Sequence, residues 1–329
     1  MKTRSATRAA VLAFVLAGGS SVGLAGCATD GGTTPTPAPT PAPTPAPTPA
    51  PTPAPTPTPT FTSWSDDLRP SSTVSVPGIA QEVTYTAGVS GATSVSAPSA
   101  VGSATFNETL DSGGFATSVQ IQAPNRTLSF ATSSGDTIGA IAQDTRFQVA
   151  ENAAQTQFAV AANPNQFGWN YQSFGVWETG VGTSSGSAGT ISVGAVTPGG
   201  SIPTSGTVVF QGEVGAIYLD TSGVDHLVRS DLSVTVDFGA RSAMMNAQTM
   251  KDITDGTIFQ GTAFQGTLTY AAGQNSLSGT VTTQNQRLSG TATARFYGPA
   301  AQELGGVFIL APTSGSSVER LGGGFGTRH

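Results

Sequence analysis

Apolar and polar side chains alternate residue by residue through much of the C-terminal half of this chain. Across residues 231–238, Leu232, Val234, Val236 and Phe238 fall on one face and Ser233, Thr235 and Asp237 on the other. Across residues 287–296, Leu288, Ala292, Ala294 and Phe296 oppose Ser289, Thr291, Thr293 and Arg295. A period of two belongs to an extended strand, because a helix would scatter the same residues around its circumference. Residues 262–271 and 276–283, separated by Gly273, Gln274 and Asn275, read as a hairpin. About eight or nine such one-sided strands follow residue 166, with no helical pattern available to cover them. They need a sandwich or a closed barrel, and only closure removes both edges. The predicted fold is therefore all-β, with an antiparallel barrel of about eight strands over residues 166–329. Leu232, Phe238, Leu268, Tyr270 and Phe296 are large inward candidates, which points to an interior filled by side chains.

Upstream, residues 63–165 hold shorter alternating runs at 82–86, 118–122 and 127–131, punctuated by Gly, Pro, Ser and Asn. This is read as a small β-rich, handle-like region, with a short helix expected over 138–145. Residues 33–60 are a near-perfect Pro-Thr and Pro-Ala repeat. Proline at alternate positions fixes φ and removes amide donors, so the available state is extended polyproline II. At about 3.1 Å per residue the stretch reaches roughly 80 Å, a length suited to a spacer.

The N-terminus explains the single cysteine. Lys2, Arg4 and Arg8 precede an apolar run at 9–17 that is too short to span a bilayer, and small residues follow, in the order of a secretory signal. Leu24, Ala25, Gly26 and Cys27 then resemble the bacterial lipobox. That resemblance implies a signal peptide over 1–26 and a diacylglycerol on the Cys27 sulfur, usually with an N-acyl chain such as palmitate. Residues 27–62 become a lipid-anchored stalk. Each buried methylene contributes about 0.8 kcal/mol, so two or three chains anchor stably. Ala28, in place of an aspartate, implies onward transport to the outer membrane.

The net charge of −6 becomes more negative when Lys2, Arg4 and Arg8 leave with the signal, and no basic cluster remains. Nucleic acid is excluded as a partner on that ground. One cysteine excludes an internal disulfide framework and a thiolate metal cluster.

Residues 295–308 run Arg295, Phe296, Tyr297, Gly298, Pro299, two alanines, Gln302, Glu303, Leu304, Gly305, Gly306, Val307 and Phe308. They resemble the strand, Gly-Pro turn, helical turn ending in Glu-Leu-Gly-Gly and following strand of the barrel domains of transferrin-binding protein B and its relatives among surface lipoproteins of Gram-negative bacteria. The final run from Gly323 to Arg328 is similar to that family's closing strand. Phe174 to Trp177 and Leu232 to Gly239 sit where the family places barrel strands. The resemblance implies a barrel beside a smaller partner region, surface display, and binding of host proteins or haem. It carries over no binding residue, because the family's contacts lie in variable loops. Proline has no amide to donate, so the Gly298–Pro299 pair independently marks a corner.

Several residues are weighed for chemistry. Gly182 to Gly186 fits Gly-x-Ser-x-Gly, but it lies in a Gly/Ser loop with no helix to follow, so it is read as compositional. His226 beside Asp225 lacks the companions of a triad or zinc site and is read as a strand histidine. For haem, the axial candidates are His226, Tyr171, Tyr218, Met244 and Met245, with no spacing that favours a pair. Trp169, Tyr171, Phe174 and Trp177 form the densest aromatic cluster, expected in the core or at the barrel mouth. A binding surface is sought there and over residues 183–203.

The expectation is a monomeric, non-enzymatic lipoprotein, anchored in the outer membrane through Cys27 and displayed at the cell surface. Its ligand is a protein or small molecule, with nutrient, iron or haem acquisition among the roles. It has no catalytic residue, metal ligand or obligate cofactor. The alternative is a structural envelope lipoprotein that contacts outer-membrane or cell-wall components.

Overall fold

The computed structural model describes residues 61, 63 and 67–329, so Cys27, the signal and the stalk lie outside the described residues. Two antiparallel sheets account for nearly all of what is described. The first contains β1 (Thr73–Gly88), β2 (Gly91–Val95), β3 (Gly102–Leu110), β4 (Ala116–Ala123), β5 (Arg126–Ala131), β6 (Thr137–Ile141), β7 (Asp144–Glu151), β8 (Gln157–Ala162), β9 (Gln172–Thr179) and β10 (Ser185–Gly194). Its order is β5-β4-β3-β1-β10-β9-β8-β7-β6, with β2 paired to the far end of β1. The end strands β5 and β6 approach each other without pairing, so this sheet is nearly closed.

The second sheet contains β11 (Thr207–Leu219), β12 (Asp225–Asp237), β13 (Ser242–Ala247), β14 (Met250–Asp252), β15 (Ile258–Phe259), β16 (Phe264–Thr269), β17 (Leu277–Thr283), β18 (Leu288–Tyr297), β19 (Glu303–Pro312) and β20 (Arg320–Arg328). Eight of them close a barrel in the order β11-β20-β19-β18-β17-β16-β13-β12, and β12 returns to pair with β11. The β14–β15 ribbon extends from β12.

Period-two alternation is realised as expected in β12, where Leu232, Val234 and Val236 are buried, and in β18, where Leu288, Ala292, Ala294 and Phe296 are. The barrel interior is a single apolar core. Phe210, Phe264, Phe296, Phe308 and Phe325 are all 0% exposed within it. At about 1.5–3 kcal/mol per buried large side chain, such a filling stabilises the closed form strongly and leaves the lumen to the protein's own residues. The inward candidates Leu232, Phe238, Leu268, Tyr270 and Phe296 all belong to it.

Three local expectations change. Residues 138–145 form the β6–β7 hairpin rather than a helix, with Ile138 opposite Ala150 and Gly139 opposite Val149. Pairing with a neighbouring strand satisfies those backbone groups, and the local helix propensity is too weak to compete. The barrel also begins later than residue 166. Phe174 and Trp177 lie on β9, which pairs with β8 and β10 in the first sheet. Alternation identifies a strand but not the sheet it joins. At the corner, residues 298–301 make a hydrogen-bonded turn with no helix, and Glu303, Leu304, Gly305 and Gly306 already belong to β19.

The closing strand packs outward as well as inward. Phe325 and Leu321 point into the core, while Gly324 and Gly326 face the first sheet. A Cβ on Gly324 would lie 2.9 Å from Phe174, and one on Gly326 2.8 Å from the Trp169 ring. Absent side chains thus let Phe174 of β9 and Trp169, just before it, approach the barrel wall closely.

Candidate functional site

The two sheets meet along one face of β1, β9 and β10 and the outer wall of β11, β19 and β20. Strand parity decides which residues enter this layer, since Val83 and Tyr85 of β1 alternate with Glu82 and Thr84 on the opposite face. Near Phe174 and Trp169 the layer is tight. Toward the β11–β12 turn it opens into a small apolar cleft. Val83, Ala188, Ile217 and Ile309 provide apolar walls, and Glu178, Asp225 and Arg320 bring charge.

Polar contacts hold the layer together at both sides of the cleft. Glu178, 2% exposed, accepts a hydrogen bond from the Tyr85 hydroxyl at 2.6 Å. Arg229 of β12 spans Asp144 of β7 at 2.9 Å and Glu213 of β11 at 2.9 Å, and Arg146 pairs with Asp144 at 2.7 Å and Glu213 at 3.4 Å. The hydrogen bond from Arg146 holds the Asp144 carboxyl below its ordinary range, whereas burial holds that of Glu213 above it despite two guanidinium neighbours. At the opposite end, the Asn170 and Tyr171 amides donate to the Glu303 carboxylate at 2.5 and 3.0 Å. Burial pushes the Glu303 carboxyl up to about 7. The Glu-Leu-Gly-Gly segment therefore does more than turn a corner, because its glutamate ties the lead-in to β9 onto the barrel.

The aromatic cluster is divided by the fold. Trp169 and Phe174 pack between the sheets with Phe147 and Phe167, and Trp177 is fully buried inside the first sheet. Tyr171 is half-buried beside Phe61. Gly182 to Gly186 turns β9 into β10 with no helix after it. His226 faces Asp220 at 3.3 Å and Asp252 at 4.0 Å rather than Asp225, and its ring lies 4.6 Å from that of Phe259. Tyr218 donates its hydroxyl to Glu319 at 2.8 Å, and burial raises its pKa. Met245 is sealed in the barrel core, while Met244 is 58% exposed on the outer wall. The fold gathers His226 and Tyr218 at one end of the barrel and places Tyr171 and the two methionines elsewhere. Among the described residues no group of three or more His, Cys, Asp or Glu is arranged to hold a metal ion.

Sequence reasoning missed Arg320, Gly322, Ile217 and Ile309 as cleft residues. A usable signal was present in the run Gly322 to Gly324, since glycines on the outward side of a strand mark close approach by another element.

Residues 202–329 match the family model described as the C-lobe and N-lobe beta barrels of Tf-binding protein B. The C-terminal barrel is thus a transferrin-binding protein B-like domain. Similar solved structures include a transferrin-binding protein B mutant from Haemophilus parasuis Hp5, at 12% identity and a TM-score of 0.39, covering 78% of this chain and 76% of that one. The isotype 1 transferrin-binding protein B of serogroup B Neisseria meningitidis is 18% identical with a TM-score of 0.42, covering 76% and 43%. The haemoglobin receptor HpuA of Kingella denitrificans is 17% identical with a TM-score of 0.39, covering 82% and 89%. No curated protein matches the chain in sequence.

Proposed function

We propose that the protein is an outer-membrane lipoprotein, anchored through Cys27 and displayed at the cell surface, that binds a host-derived ligand without enzymatic chemistry. The observation that carries this reading is the match of residues 202–329 to the barrels of a binding protein. The filled interior supports a second element of it. With Phe210, Phe296 and Phe325 occupying the lumen, a ligand has only the loops and the outer wall to engage. The lipobox-like segment ending at Cys27 and the Pro/Thr/Ala stalk supply an anchor and a reach suited to holding such a surface away from lipid. Iron-carrier proteins and haem are the ligand classes that the family suggests.

Two measurements test this reading. Cys27→Ser should move the protein from the membrane fraction to the soluble fraction, and unchanged fractionation would defeat the anchor. The Cys27→Ser chain, immobilised and offered transferrin, haemoglobin, haem and serum, should retain a host component. Retention of none, with crosslinks in intact cells only to envelope proteins, would replace this reading with the structural envelope role.

A further inference from the structure

His226 stands between two carboxylates at one end of the barrel. Its Nε2 lies 3.3 Å from Oδ2 of Asp220, in the turn between β11 and β12, and its Nδ1 lies 4.0 Å from Oδ2 of Asp252, at the end of β14. The two carboxylates are presented in the same way. Asp220 commits its Oδ1 to the amides of Ser222 and Val224 and to the Ser222 hydroxyl. Asp252 commits its Oδ1 to the amide and hydroxyl of Thr254. Each turn thereby fixes its aspartate and leaves the second oxygen facing the ring, on opposite nitrogens. A neutral imidazole has a single N–H and serves one of these oxygens, whereas the imidazolium donates at both nitrogens.

The other charged and titratable groups around the ring leave that pairing intact. Burial pushes the Asp220 carboxyl up, but hydrogen bonds from Ser222, Val224 and His226 outweigh it and hold the group below its ordinary range. Hydrogen bonds from Thr257, and more weakly the charge of His226, do the same for Asp255 in the turn of the β14–β15 ribbon. On β11, Tyr218 lies with its ring 6.2 Å from the imidazole and gives its hydroxyl to Glu319, which also pairs with Arg287. On β12, Asp225 is exposed and Arg229 is held by Asp144 and Glu213. Lys251 of β14 is exposed and is the register partner of Arg229. Among the described residues the imidazole is the ion-pair partner of both Asp220 and Asp252.

The ribbon is anchored at its root and lightly held at its tip. Met250 and Ile253 are buried, and the Ile253 amide donates to the Leu227 carbonyl. Beyond them β15 is two residues long, pairs with β14, and leaves Ile258 52% exposed. Phe259 carries the tip's ring contacts with the barrel, 4.6 Å from His226 and 5.1 Å from Tyr218.

We propose that His226 is an acid-closed latch. Its imidazolium ties Asp252, and with it residues 254–259 of the ribbon, to the β11–β12 turn, and loss of the proton loosens that limb and uncovers Tyr218 and Phe259 at the barrel end. A proton that favours closure is bound more tightly in the closed form, so protection of the limb rises as pH falls through the histidine range and is lost above it. The latch needs no ligand and stands apart from the binding role proposed above.

Amide hydrogen exchange on the full chain carrying Cys27→Ser, at about pH 5.5 and about pH 8, tests the latch once each rate is divided by its intrinsic rate at that pH. Protection over residues 252–259 should be about three- to ten-fold greater in acid, as partly exposed ion pairs allow. His226→Gln should remove that gain, and His329→Gln, whose histidine lies against Phe210, should keep it. The chain has two histidines, so the His329→Gln protein reports the His226 imidazole alone by NMR. Adding Asp252→Asn should shift its titration to lower pH. Protection of 252–259 that ignores pH, an acid gain that survives His226→Gln, or an imidazole titration untouched by Asp252→Asn would each overturn the proposal.

Discussion

Glu108 offers a sharp test of how the first sheet is held together. It sits on β3 opposite Val74 of β1 and Val119 of β4, is 8% exposed, and faces an apolar core that includes Ile121 and Phe130. Burial alone pushes its carboxyl from 4.5 up to about 7. The folded chain then holds this proton to a higher pH than the unfolded chain does. Between about pH 4.5 and 7 it binds more protons when folded, so its stability falls as pH rises through that window. The contribution is fully present below pH 4.5 and lost above the folded value. A rise from 4.5 to about 7 corresponds to about 3 kcal/mol. Glu108→Gln keeps the shape of the protonated acid and cannot ionise, so the two proteins should have similar stability at about pH 4.5. By about pH 8 the variant should be the more stable by about 3 kcal/mol. Urea unfolding of both proteins, followed by circular dichroism across that range, measures the difference, and shifts elsewhere in the molecule cancel between them. Parallel stability curves, or a variant that gains nothing at the alkaline end, would refute the assignment of Glu108 to a dry, unpaired site.

Gly324→Leu should force Phe174 off the barrel wall and cost about 1–3 kcal/mol by overpacking. Faster proteolysis between the sheets, at unchanged strand content, would register it. Arg229→Ala should leave Asp144 and Glu213 sharing Arg146 alone and cost about 1–2 kcal/mol, less than a fully buried pair because the arginine is partly exposed. A double-mutant cycle with Asp144→Ala should show coupling between them, and additive losses would deny the network.

The barrel was legible in the sequence because its strands carry their own instructions. In β12 and β18 each inward position is apolar and each outward one polar, so neighbours along the chain suffice to assign the face. Sheet membership is a different kind of information. Strands β9 and β10 look much like barrel strands, but their partners are β8 and β1, and only long-range pairing decides that. The cleft was less legible still, because its parts come from distant segments. Arg320 reaches the carbonyl of Val95 across 225 residues, and no local pattern announces that meeting. His226 shows the same limit, since its sequence neighbour Asp225 points elsewhere and Asp220 and Asp252 reach it through turns.

The seam of the barrel joins Gln211 to Arg328. Every other strand of the cylinder precedes this stave in the chain, so the hoop stays open during synthesis until β20 has emerged. The ten strands of the first sheet can meanwhile assemble and offer the arriving Gly324 and Gly326 a surface on which to settle.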